Sequence, residues 1–265
     1  MLQIGPICRY VEDIPLVAEV MGGENASPLR LADAADLKKT RVFYMEGIKG
    51  LSTVMSLGCE MKSALLKAVE HLEGEFDIEA IRIDLPLFSK AVEMETASLS
   101  VKGVPRHGEY LLSLKGDKGC INWVTEIPKL LTGNSVHTAG GLFFAAFDSL
   151  DRTTEEEKTK TIKLRERLSR QLNELLGDDG ILLFPSWPHT APFHNQPVFA
   201  PFNLAYTCIF NVLTLPTIQC PMGVDSNGVP LGIQVVASHN CDRLLIAAAK
   251  EISEAFGGWT PPWEH

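Results

Sequence analysis

Residues 202–236, FNLAYTCIFNVLTLPTIQCPMGVDSNGVPLGIQVV, decide the fold. The first part has helical character as far as Leu213, and Pro216 stops it, because proline lacks an amide donor and its ring collides with the preceding turn. Thr217 to Met222 and Leu231 to Val236 then read as two strands, apolar and rich in β-branched residues. Between them Asp225-Ser226-Asn227-Gly228 supplies residues that tolerate positive φ, so the strands fold back as a hairpin. A helix feeding an apolar hairpin belongs to a core rather than to a surface.

Outward from the hairpin, Asp242 to Phe256 repeats apolar residues at helical spacing, with Leu245, Ala248, Ile252 and Phe256 inward and Gly257-Gly258-Trp259 after them. On the other side, Gly180 to Ser186 is a continuous apolar run, the pattern of a central strand buried on both faces. Before it, Thr153-Thr154-Glu155-Glu156-Glu157 offers two overlapping capping boxes. The helix that follows carries a seam of Ile162, Arg165, Leu168, Leu172, Leu175 and Leu176, and Gly177 ends it. Its Lys and Arg residues alternate with acids, which makes a solvated face.

Nearer the N-terminus, Arg41 to Met45 reads as a strand, Cys59 to Leu72 as a helix stopped by Gly74, and Phe76 to Ile83 as a second strand. Strand, helix, strand in that order is a parallel crossover unit. Residues 87–150 turn mostly helical, broken by a loop at 103–108 and a polar turn at 115–119. Within them GGLFFAAFDSL (140–150) sets Phe143, Phe144 and Phe147 close together on one helix, which general burial tendencies read as packing against the sheet. At the start, GPICRYVEDIPLVAEVMGG enters a helix with Val11, Ile14, Ala18 and Met21 on one face, although Pro15 opposes it. The expected fold is α/β, a mixed sheet flanked by helices, and with no repeat and no long linker it is a single domain over residues 1–265.

Composition narrows the function classes. The 265 residues are 45% hydrophobic, ample for a core, and 24 basic against 33 acidic residues give a net charge of −9. No basic patch has the footprint of a phosphate backbone, so nucleic acid is excluded as a partner. Cys8, Cys59, Cys120, Cys208, Cys220 and Cys241 form no C-x-x-C pair, which points to a reducing, intracellular compartment and to no zinc knuckle. No apolar run has the length of a membrane span, and MLQIGPICRY lacks the layout of a signal peptide, so the expectation is a cytoplasmic or membrane-peripheral chain.

Catalytic signals are sparse. Ser186 follows an apolar strand, but Pro185 precedes it and Trp187-Pro188 follow, so the G-x-S-x-G elbow is absent and a strand-end serine is the plain reading. His189 and His194 lie on the proline-rich loop SWPHTAPFHNQPVFAPFN with no acid or cysteine at ligand spacing, so no metal is expected. There is no H-E-x-x-H, no G-x-x-x-x-G-K-[ST] and no G-x-G-x-x-G, and no cofactor is implied.

The blocks GPICRYVEDI (5–14), GDDGILLFPSWP (177–188), PFNLAYT (201–207) and LPTIQCPMGVDSNGVPLGIQVV (215–236) resemble the amidase signature family, and most its type-2 fatty-acid amide hydrolase branch. The first block matches the family's G-P-x-x-R-x-x-x-D motif at Gly5, Pro6, Arg9 and Asp13, which in the family lies just after the catalytic signature. In the family a lysine, a bridging serine in a cis peptide bond and a nucleophilic serine do the work, the serines within a glycine- and serine-rich stretch. No position here matches them. The resemblance therefore implies the C-terminal part of a single amidase domain, with the N-terminal catalytic part absent and no activity from these residues alone. It implies a fatty amide or fatty acid as the small-molecule partner, with Phe143, Phe144, Phe147, Leu204 and Cys208 as substrate-binding residues. In this reading the chain works with an N-terminal half in trans or as a homo-oligomer. The alternative is a non-catalytic lipid-binding paralogue or a partner of an active homologue; a truncated product without function of its own is the third.

Overall fold

The computed structural model describes residues 4–31, 33–50, 53–100, 122–194 and 196–261. The strands are β1 (Arg41–Tyr44), β2 (Ile81–Arg82), β3 (Gly180–Pro185), β4 (Thr217–Val224) and β5 (Pro230–Ala237), in the spatial order β2-β1-β3-β5-β4. β1 lies parallel to both β2 and β3, whereas β3 with β5 and β5 with β4 are antiparallel. The sheet is thus mixed, with the buried run 180–185 at its centre. Among the described residues the α-helices are, in chain order, α1 (Asp13–Gly22), α2 (Cys59–Phe76), α3 (Ala91–Leu99), α4 (Trp123–Leu131), α5 (Ala139–Leu150), α6 (Glu155–Leu176), α7 (Ala205–Leu213) and α8 (Asp242–Phe256). Among the described residues no helix is long and apolar enough to cross a membrane.

Side chains alternate across a strand, so β3 feeds two separate cores. Leu182 and Phe184 join Phe43 and Val236 on one face, under Met94 of α3, Leu168, Leu172 and Leu176 of α6, and Tyr206, Ile209 and Phe210 of α7. Ile181 and Leu183 join Val42, Ile233 and Val235 on the other, under Leu65, Ala68 and Leu72 of α2 and Leu245, Ala248 and Ile252 of α8. The register pairs Leu182 with Phe43 on one side and with Val236 on the other. Helices on both faces of a mixed sheet are the expected architecture.

Several boundaries differ from the sequence reading. Gly74 does not stop α2; Asp77, at φ 54°, does. A helix glycine costs only about 1 kcal/mol against alanine, too little to end a helix whose Leu72 is buried and whose Phe76 packs on the core beyond it. The second strand is correspondingly short. Pro15 is the third residue of α1, where its missing N–H has no helical partner in any case, so it does not oppose the helix. No residue of α1 is buried and Met21 is exposed, although Val11, just before the helix, packs against the core under α2 and α8. Of the overlapping capping boxes, Thr154 with Glu157 is made in both directions, while the Thr153 N–H donates to Asp151 instead. The loop expected at 103–108, the turn at 115–119 and Cys120 lie outside the described residues.

Candidate functional site

The three α5 phenylalanines are not part of the sheet's core. The buried residues of α5 are Leu142 and Ala145, which pack on Trp123 and Leu130 of α4. That turns the aromatic face outward, with Phe144 and Phe147 each 39% exposed. Phe143 stacks on Phe147 with ring centroids 6.4 Å apart and meets Phe144 edge-on at 6.1 Å. Phe147 then meets Phe202 edge-on at 6.0 Å, which links α5 to the chain entering α7. Edge-to-face contacts of this kind suit the ring quadrupole.

Two depressions adjoin at that contact. One, of about 480 Å³, has Val92, Ala97, Phe147 and Phe202 as apolar lining and Glu93, Asp151, Glu157, Lys158 and Lys160 as charged groups. The other, of about 810 Å³, runs along the proline-rich loop past Trp187, His189 and Phe199 to Asn203, with Thr53, Val54 and Met55 also lining it. Thr53 and Phe202 line both. Lys158 and Lys160 pair with Glu155 at 3.0 Å and Glu156 at 2.8 Å. The Lys160 pair is exposed and of a kind that holds weakly, whereas the Lys158 side chain is only 19% exposed. Apolar lining with a few charged groups suits an amphiphile.

The proline-rich loop is tied down at one place by a hydrogen bond from the Gly58 N–H to the Pro188 carbonyl, 2.8 Å. His189 lies so close to Gly58 that a Cβ there would stand 2.7 Å from Nδ1, which makes the glycine a condition of the approach. Ser186, at the end of β3, bonds through its hydroxyl to Gln219 Oε1 across the sheet, a strand-end role.

The other two residues assigned by resemblance lie deeper. Leu204 is half-buried against the core beneath α7, and Cys208 is 1% exposed within it. Burial pushes the Cys208 thiol up, and Glu95 beside it acts in the same direction. Neither lines the two depressions. Sequence reasoning missed Phe202, Asn203 and Thr53–Met55. The signal that could have found them was positional: the chain leaving the C-terminal end of a parallel strand is where α/β sheets build sites, and residues 45–58 leave β1 at that end.

Set beside known proteins, residues 1–246 match the family model described as Amidase. Fatty-acid amide hydrolase 2 from Homo sapiens is 34% identical over 260 residues, covering 97% of this chain and 49% of the relative. A glutamyl-tRNA(Gln) amidotransferase chain from Ruminiclostridium cellulolyticum is 24% identical over 278 residues, covering 96% of this chain and 55% of the relative. A solved fatty acid amide hydrolase superposes with a TM-score of 0.65 at 17% identity, over 96% of this chain and 48% of that one. At that identity the superposition speaks for the fold. The chain spans about half the length of the curated relatives it matches.

Proposed function

The chain belongs to the amidase family, and from that premise we propose that it is part of a hydrolase of fatty amides, these residues forming the groove that holds the acyl chain. The observation that carries the reading is the Phe147–Phe202 contact at the junction of two adjoining depressions; Phe143 and Phe144 line neither depression, and Phe143 stacks on Phe147 and meets Phe144 edge-on. Such lining favours a long acyl chain over a polar amide, because each buried methylene contributes about 0.8 kcal/mol. Leu204 and Cys208 act in this reading from beneath, as the packing that sets the position of α7.

In the reaction proposed for the whole protein, a serine hydroxyl adds to the amide carbonyl. The C–N bond breaks, the amine or ammonia leaves with a proton, and water then hydrolyses the acyl ester to the free fatty acid. A lysine base and backbone donors to the oxyanion lower the barrier. Residues 1–265 hold no match to that set, so these residues are inactive alone, and the nucleophile meets the groove from chain outside them or from an N-terminal half in trans. The same missing set favours, as the second reading, a lipid-binding protein without catalysis.

The test uses the protein at its natural length, with cis-parinaric acid as a fluorescent fatty-acid probe. Phe147→Ala is expected to weaken probe binding severalfold while lowering stability by less than half of the roughly 3–5 kcal/mol that a fully buried phenylalanine commands. Unchanged binding with a full-sized stability loss would assign Phe147 to the core and end the groove reading. Hydrolysis of a long-chain primary amide, lost on treatment with a serine-directed phosphonate, separates the hydrolase from the lipid-binding protein.

A further inference from the structure

Residues 45–50 and 53–58, between β1 and α2, are each held by one short piece of polypeptide. In the first, the Ile48 N–H points at the Tyr206 hydroxyl, 3.4 Å away. In the second, the Met55 N–H donates to Asn203 Oδ1 at 2.9 Å, and the Tyr206 hydroxyl faces the Met55 carbonyl at 3.5 Å. Asn203 is 1% exposed and Tyr206 is fully buried. Gly47, at φ 109°, makes this approach feasible, since a Cβ there would lie 2.7 Å from the hydroxyl. Tyr206 is itself fixed by Gln234, whose Nε2 donates to the Tyr206 carbonyl at 2.8 Å and to the Pro185 carbonyl at 3.1 Å.

Between the two held places lie Thr53 and Val54, which line the larger depression, and Thr53 also lines the smaller one. A buried asparagine whose oxygen accepts a backbone N–H leaves an unsatisfied donor when it is removed, and that penalty falls on the loop it serves. We infer that Asn203 is a positioning residue: it holds the Thr53–Met55 wall at the junction of the two depressions, and the Tyr206 hydroxyl supports the same wall at the Met55 carbonyl. The ligand half of this inference rests on the groove reading above; the clamp itself does not.

Hydrogen exchange on the natural-length protein tests the clamp, and cis-parinaric acid binding tests its consequence. Asn203→Ala is expected to speed exchange at residues 53–56 by about tenfold, the scale of one lost hydrogen bond, with β3 and β5 unchanged. Asn203→Asp, which keeps the acceptor, restores protection. Should Asn203→Ala fail to fold, Tyr206→Phe is the second variant, with faster exchange expected at Ile48. Exchange that is unaltered at 53–56, or that accelerates equally across the strands, overturns the clamp. Probe affinity is expected to fall severalfold in Asn203→Ala; unchanged affinity with a loosened wall overturns the positioning role. A wild-type protein that binds no probe defeats the fatty-ligand reading alone, and the exchange pattern then decides the clamp by itself.

Discussion

Asp225 organises the hairpin turn through its carboxylate, which accepts the Asn227 N–H at 2.8 Å and the Val229 N–H at 2.9 Å. The hydrogen bond from Val229 leads in holding its carboxyl below the ordinary carboxylate value, against the opposing effect of desolvation. A depressed folded value means that the ionised form stabilises the fold. That contribution is complete above the ordinary carboxylate range, near pH 4, and is lost as pH falls towards the lower folded value. Asp225→Asn should therefore flatten the decline in melting temperature between about pH 5 and pH 3; an unchanged decline would show that other carboxylates govern it. The turn was legible in D-S-N-G, and Gly228 does take a positive φ of 77°. What the sequence could not convey at this scale was depth. Cys208 and Phe202 lie in the same stretch, yet Cys208 is in the core while Phe202 lines both depressions, and linear spacing does not say which side of a helix meets solvent.

The elements whose ends are written in side-chain chemistry matched the reading. α6 begins at the Thr154–Glu157 box and ends at Gly177, as the sequence dictates. Its buried residues, Leu168, Leu172 and Leu176, all lie in its second half, so the first half, which carries Glu157, Lys158 and Lys160 to the smaller depression, depends more on its cap. Thr154→Ala is expected to cost about 1 kcal/mol in urea denaturation, with Thr154→Ser recovering most of it. No difference between threonine and alanine would mean that packing alone sets this end. α2 runs past Gly74 because the packing of Phe76 on the core outweighs one glycine, and that packing is not visible in the local sequence. The orientation of α5 was mistaken because its true partner, α4, presents a small core of its own through Trp123 and Leu130, which no single-helix periodicity can reveal.

At the scale of the molecule the sheet is well specified, because the central strand's two faces demand two helical layers. Its surroundings are less complete among the described residues. Ile4, Ile7, Leu16 and Val20 are exposed near α1, and Ile81 on the two-residue edge strand β2 is exposed as well. The opposite edge, β4, is blunted by Pro221 and by the irregularity between Pro221 and Val224. Residues 1–265 produced alone are therefore expected to associate through exposed apolar surface such as that of α1 and of β2, and to stay unlabelled by a serine-directed phosphonate. Co-expression with the N-terminal half of a close family member should raise their solubility and restore amide hydrolysis; a monomeric, cooperatively unfolding product would contradict this. Photolabelling shows whether the junction at Phe147 and Phe202 holds an acyl chain. A fatty amide carrying a diazirine on its tail would be irradiated with the natural-length protein and the attachment sites mapped by mass spectrometry. Attachment is expected in the peptides that contain Val92, Phe147 or Phe202, abolished by excess fatty acid; attachment on the α2 and α8 face, or attachment that excess fatty acid leaves untouched, would rule the acyl groove out.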